Sequence, residues 1–239
     1  MRYALTESLS EPATTEAQGL LSPDERARGE RFRFADDRRD FTVAHALLRR
    51  ALTQHEGVPP SQWVFQTGPQ GKPFLTPAQS RLEFNLAHTR GLVACALTKA
   101  GVVGVDVESI ERAVNCDEIA ERYFSEREIL ALQECRGAER QTRFIELWTL
   151  KEAYLKAIGA GLSNPLGDFG FELHGTSGLR FSAPPGASST DWRFALFAPS
   201  TRHRMAVAVR TDGDIEFSVQ RWPAGAADSH EAVRRSSAS

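Results

Sequence analysis

Between Val102 and Glu108 the chain reads Val-Val-Gly-Val-Asp-Val-Glu, apolar and acidic side chains alternating at a period of two. Successive side chains of an extended strand leave opposite faces, so Val103, Val105 and Val107 share one face while Asp106 and Glu108 share the other. Such a strand must bury its valine face and therefore belongs in a sheet. The same short period recurs before it, at 82–88 and 92–97, and after it, at 169–173, 192–198, 205–210 and 215–221. The stretch 102–108 is expected to continue the sheet of the earlier group, and the later group predicts a second sheet.

Helices separate the strands. Ser22-Pro23-Asp24-Glu25 reads as a helix start, with Ser22 as N-cap, Pro23 in the first turn and Glu25 placed to close a capping box. A second helix is predicted from Phe41, where Phe41, Ala44, Leu47, Leu48 and Leu52 recur at helical spacing up to Gly57, its arginines facing outward. Ser125-Glu126-Arg127-Glu128 is another capping box, and a longer helix follows from about Gln141 to Ile158, stopped by Gly159 and Gly161. The end of the chain from Pro223 is small and polar and is expected to be disordered. The expected class is α/β (α+β), with lobes over residues 1–101 and 102–222 and a tail over 223–239.

Composition narrows the function. With 239 residues the chain can bury a core without staples, and its apolar runs fall well short of the roughly 20 residues that span a bilayer. A membrane protein is excluded, and an N-terminus without a basic region followed by an apolar stretch points to the cytoplasm. Cys95, Cys116 and Cys135 are too widely spaced for a disulfide framework or a CxxC metal site and read as structural. A net charge of −2 argues against a nucleic-acid binder. Locally, eight arginines between residues 25 and 50 outnumber five acidic residues, either as a dock for a small polyanion or as a solvated helix face.

Three groups of residues carry chemistry. Asp106 and Glu108 leave the same face of one strand, close enough to share a cation such as magnesium; equally, they suit the wet face of an edge strand. In Trp-Thr-Leu-Lys-Glu-Ala-Tyr-Leu-Lys, Trp148, Glu152 and Lys156 lie along one side of a helix, where Glu152 and Lys156 also suit an ordinary ion pair. Lys72 in a turn and His88 near a strand end are candidates to meet a phosphate. If the strand runs straight through residue 88, His88 shares a face with Phe84 and Leu86 and is a core histidine instead.

Taken in order, GKP…FNLAH, GVDVE and WTLKEAYLKAIGAGL resemble the three signature regions of the Sfp-type 4′-phosphopantetheinyl transferases, and the similarity runs from about Leu21 to Leu173, including SPDERARGERFRFADDRRDF. That resemblance implies two similar pseudo-twofold-related α/β lobes with the active site in the cleft between them. It implies transfer of 4′-phosphopantetheine from coenzyme A to a serine of an apo acyl or peptidyl carrier protein, releasing 3′,5′-ADP. Asp106, Glu108 and Glu152 match magnesium ligands; Arg28, Gly71 and Lys72 match contacts to the nucleotide end of coenzyme A; His88 and Lys156 match phosphate contacts. Asn85 and the backbone of Ala87 complete the expected cofactor contacts, Ala87 standing where many members have serine. Glu152, Lys156 and His88 are the expected catalytic residues, in a monomer that binds neither nucleic acid nor membrane. A magnesium-dependent nucleotide phosphohydrolase and an inactive nucleotide-binding or carrier-binding module remain as alternatives. Carrier-dependent consumption of coenzyme A separates them from the transferase.

Overall fold

The computed structural model describes residues 1–68, 73–76, 78–160, 165–175, 177–223 and 234–236. Two compact units make up the chain, Met1–Lys99 with Ser218–His230 and Ala100–Phe217 with Glu231–Ser239. Among the described residues no helix is long and apolar enough to cross a membrane.

The first unit sets three helices, α1 (Glu11–Leu20), α2 (Pro23–Glu30) and α3 (Ala35–Glu56), with a sheet of β1 (Arg2–Leu5), β4 (Glu83–Thr89), β5 (Leu92–Thr98) and β11 (Gln220–Arg221). The strand order is β11-β1-β5-β4, antiparallel except for the β1–β11 pair. A separate ladder joins β2 (Gln66–Thr67) to β3 (Pro73–Phe74). The Ser22 capping box forms, with the Ser22 N–H donating to Glu25 Oε2 at 2.8 Å and the Glu25 N–H to Ser22 Oγ at 3.2 Å. Helix α3 begins six residues before the apolar period at Phe41, with Asp36 and Asp37 favouring its positive N-terminal end. It stops at Gly57, whose φ of 73° suits glycine at a left-handed C-cap.

One outward-facing arginine of that helix is corrected. Arg49 is buried, 2% exposed, and its Nε donates to Glu25 Oε2 at 2.7 Å while its guanidinium also donates to the Trp63 carbonyl at 3.1 Å and lies over the Phe65 ring. Helical spacing marks apolar faces but does not reveal that a partly buried carboxylate of α2 waits beside this one. Burial by itself would raise the Glu25 pKa; hydrogen bonds with His45 and Arg49 and from the Ser22 backbone overcome it and hold Glu25 at about 2. Because the folded value lies below the unfolded one, this stabilisation is present above about pH 4.5 and is lost as pH falls towards 2. Wild-type protein should therefore lose about 2 kcal/mol across that window, allowing for solvent screening, and Glu25→Gln should flatten the loss. Urea midpoints at pH 5, 4 and 3 check this; equal slopes for the two proteins would contradict it.

The second unit carries a six-stranded sheet in the order β6-β10-β9-β12-β8-β7. Its strands are β6 (Val103–Ser109), β7 (Gly170–His174), β8 (Gly178–Ser182), β9 (Trp192–Ser200), β10 (His203–Arg210) and β12 (Arg234–Ser236), with helices α4 (Cys116–Tyr123), α5 (Glu126–Glu134) and α6 (Gly137–Ile158). Like α3, α6 is 22 residues long and ends on a left-handed glycine, Gly159. Its core is aromatic: Phe124, Phe144 and Trp148 stack together, and Tyr154 meets Phe169, Phe181 and Trp192. Three expectations change. The strand β6, expected to continue the sheet of β4 and β5, instead pairs with β10 at the edge of this one, because its neighbour is supplied from far along the chain. The stretch 215–221 supplies no strand to this sheet, because Gln220 and Arg221 pair with Arg2 and Tyr3 of the first unit. Within the expected disordered tail, Arg234–Ser236 form β12, parallel to β8 and antiparallel to β9. A polar, arginine-containing run carries little propensity for a strand, and its neighbours in the sheet supply the pairing.

Candidate active site

The carboxylates of β6 face α6. Gly104, Asp106 and Glu108 share one side of the strand, and a Cβ built on Gly104 would stand 2.0 Å from the Ala153 carbonyl oxygen and 2.4 Å from the Ala157 nitrogen. The helix backbone therefore lies directly on the strand at this point, an approach that only glycine allows. Across the ladder, Gly104 pairs with Ala208 and Asp106 with Ala206, small side chains that keep the same approach open, while Glu108 pairs with Arg204. Further along the face the acids begin, and α6 brings Glu152 and Lys156 to them.

Lys156 Nζ donates to Asp106 Oδ1 at 2.6 Å, and Arg112 pairs with Glu108. Asp106 is only 6% exposed, and its second oxygen, Oδ2, is buried without a hydrogen-bond partner. The reading of Asp106 as the wet face of an edge strand is thereby excluded, although β6 does lie at the sheet edge. Burial raises the Asp106 pKa against the pull of Lys156. Burial and then the charge of Asp106 push Glu108 up to about 7, and the same two causes raise Glu152. Each of the three carboxylates is thus in an electrostatic environment that disfavours its own charge.

Hard oxygen donors under mutual repulsion, one with an unsatisfied buried oxygen, fit a magnesium ion in chemistry. In the arrangement seen here Lys156 and Arg112 supply the neutralising charge, and among the described residues no three His, Cys, Asp or Glu side chains are gathered to hold a metal. Closing the three carboxylates on one ion requires those two cations to move aside.

In the first unit, Arg28 is an exposed residue of α2 with its guanidinium 5.5 Å from the Phe41 ring centroid. His88 is exposed near the end of β4, beyond the buried Phe84, so the core-histidine alternative fails. The period-two face continues to residue 88, but the core does not extend that far. Asn85 and Ala87, on the other face of β4, are buried. Gly71, Lys72 and Gly161 lie outside the described residues.

Two contributors escaped the sequence reading. Arg112 stands four residues beyond Glu108, but past the strand end, where no helical spacing flags a pair. Asp40 is buried, accepts a hydrogen bond from the Thr6 hydroxyl and another from the Gly91 N–H at 3.4 Å, and so anchors the β4–β5 turn next to His88. An acid within an arginine-rich helix gives no sign that it points inward.

Residues 102–208 match the family model of the 4′-phosphopantetheinyl transferase superfamily, and residues 10–100 match that of the 4′-phosphopantetheinyl transferase N-terminal region. The 4′-phosphopantetheinyl transferase HetI of Nostoc sp. is 35% identical over 191 residues, covering 79% of this chain and 78% of HetI. The chain belongs to the 4′-phosphopantetheinyl transferase family. A phosphopantetheinyl transferase of Thraustochytrium sp. is 31% identical over 209 residues, covering 81% of this transferase and 73% of that protein. Sfp of Bacillus subtilis is 30% identical over 166 residues, with coverage of 70% and 72%. The likeness to the solved Thermotoga maritima holo-[acyl-carrier-protein] synthase is slight: 26% identity, a TM-score of 0.39, and coverage of 51% of this chain and 69% of that one. The superfamily match spans both β6 and α6, the two elements that hold Asp106, Glu108, Glu152 and Lys156.

Proposed function

We propose that this transferase moves the 4′-phosphopantetheine group of coenzyme A onto a serine of an apo carrier protein, using Asp106, Glu108 and Glu152 as a magnesium-binding set. The observation that carries the reading is the unsatisfied buried Oδ2 of Asp106 beside two further carboxylates whose protonation is favoured by burial and by Asp106 itself. Bound there, magnesium would supply Lewis-acid stabilisation of the negative charge on the diphosphate.

The protein groups have separate tasks. Lys156, released from Asp106, donates to a diphosphate oxygen as charge builds on the leaving side, and His88 is assigned a second phosphate contact. Glu152 takes the proton of the attacking serine hydroxyl, directly or through a water molecule. The serine oxygen bonds to the β-phosphorus of coenzyme A, the bond from that phosphorus to the bridging oxygen breaks, and 3′,5′-ADP departs with that oxygen. Arg28, Gly71 and Lys72 are assigned to the nucleotide end, and Asn85 and the Ala87 backbone to further contacts with coenzyme A. A cytoplasmic monomer suits a reaction whose donor is coenzyme A and whose acceptor is another protein.

Incubating the protein with magnesium, coenzyme A and several apo carriers, followed by intact-mass measurement, tests the activity. The mass gain of one phosphopantetheine on a carrier serine is expected, with equal release of 3′,5′-ADP. Hydrolysis of coenzyme A without carrier would favour a phosphohydrolase instead. Arg28→Ala should raise the KM for coenzyme A about tenfold, equivalent to about 1.4 kcal/mol of lost binding, with little change in kcat. An unchanged KM would remove Arg28 from the site.

A further inference from the structure

At the other end of the second sheet, three arginines of adjacent strands meet at one cavity. Arg180 of β8, Arg235 of β12 and Arg193 of β9 line a space of about 410 Å³ together with the hydroxyl residues Ser177 and Thr190. The ladder places them on one face. Arg235 pairs with Gly178 on one side and Ala195 on the other, and Arg180 and Arg193 each stand two residues from those partners, in the same direction along the sheet. From strand spacing and rise, the Cα atoms of Arg180 and Arg193 are roughly 10 Å apart, with Arg235 roughly 8 Å from each.

This face is turned away from α6. Arg234, the neighbour of Arg235, pairs with Leu196, which belongs to the core under α6 together with Leu179 and Phe181. Asp106 is on the α6 side, and β6 lies four strand spacings from β8, roughly 19 Å. The arginine cavity is therefore separate from the carboxylates.

Like charges on neighbouring strands of one face repel, and the acids nearby compensate only in part. Glu172, across from Arg180 on β7, is engaged by Arg127 at 2.9 Å and approached by His174 at 3.6 Å. Asp214 is 3.8 Å from Arg193 and almost fully exposed, and Asp191 pairs with Arg210. Among the described residues Arg180 and Arg235 have no ion-pair partner, and Arg193 Nε is buried without a hydrogen-bond acceptor. Arg193 is nevertheless held in place, donating to the Thr190 carbonyl at 2.6 Å and the Trp192 carbonyl at 3.1 Å.

We infer that this cavity binds a small organic phosphate, its dianionic head received by the guanidinium groups of Arg180, Arg193 and Arg235. Planar forks suit a tetrahedral oxyanion, because each offers two parallel N–H donors to adjacent oxygens. The cavity exceeds the volume of the phosphate itself, which leaves room for the organic part beside the hydroxyls of Ser177 and Thr190.

Calorimetric titration of the full chain with glucose 6-phosphate, in saturating coenzyme A to keep the nucleotide site filled, tests the assignment. Saturable binding of one equivalent is expected, at least tenfold weaker in the double variant Arg180→Ala, Arg235→Ala, with glucose itself giving no heat. Carrier labelling by that variant should match the wild type, so failure here leaves the transferase reading untouched. Should the alanine variant unfold by circular dichroism, the Arg180→Lys, Arg235→Lys variant keeps the charge but loses the forks and should bind at least threefold more weakly. Absence of saturable binding to the wild type, or wild-type affinity in a folded variant, overturns the proposal.

Discussion

Asp106→Asn should abolish carrier labelling, lowering kcat by a thousandfold or more, while leaving the protein as stable as the wild type or more so. A thousandfold loss corresponds to about 4 kcal/mol of transition-state stabilisation. The substitution keeps the shape of the side chain but removes the charge at the centre of the three acids, where Asp106 is 6% exposed and raises the pKa of both Glu108 and Glu152. Relieving that repulsion favours the fold. Lys156, whose ion pair with Asp106 is removed, is 31% exposed and can be solvated. Intact-mass assays paired with thermal unfolding would check the two halves together. Normal labelling would remove Asp106 from the site, and a large fall in Tm would reassign it to structure.

Lys151→Met should have the opposite profile, costing about 3–5 kcal/mol of stability, a large part of the 5–15 kcal/mol usual for a domain. Lys151 is fully buried on α6, and its ammonium donates to the Leu166 carbonyl at 2.8 Å and the Phe169 carbonyl at 2.7 Å, with Glu128 Oε2 at 2.9 Å. Three donors meet three acceptors, and the Phe124 and Phe169 rings lie alongside. Glu128 in turn closes the capping box of α5 and accepts from the Phe171 N–H at 2.9 Å, so methionine would leave a buried carboxylate and two carbonyls without their cation. Urea unfolding at pH 7 measures the loss; a change below 1 kcal/mol would mean that the pair contributes nothing net. Since Lys151 and Glu152 are successive residues about 100° apart around α6, anchoring the one fixes the direction of the other.

The elements legible in the sequence were those written in local chemistry. Capping boxes at Ser22 and Ser125 start helices because side chain and backbone satisfy each other within four residues. Alternation at 103–108 yields β6 because period two leaves no other way to bury three valines. Non-local strands were harder. Gln220 and Arg221 join β1 by a pairing that spans most of the chain, and Arg234–Ser236 are extended because β8 and β9 flank them.

The site divides in the same way. Backbone periodicity is enough to put Asp106 and Glu108 on one face of a strand and Glu152 and Lys156 on one side of a helix. Packing brings these two faces together, through the contact of Gly104 with the α6 backbone, and sets Lys156 and Arg112 to neutralise the acids. It also decided that Arg49 is buried while His88 is exposed. Periodicity specifies which side of an element a residue occupies; what covers that side depends on packing against residues far along the chain.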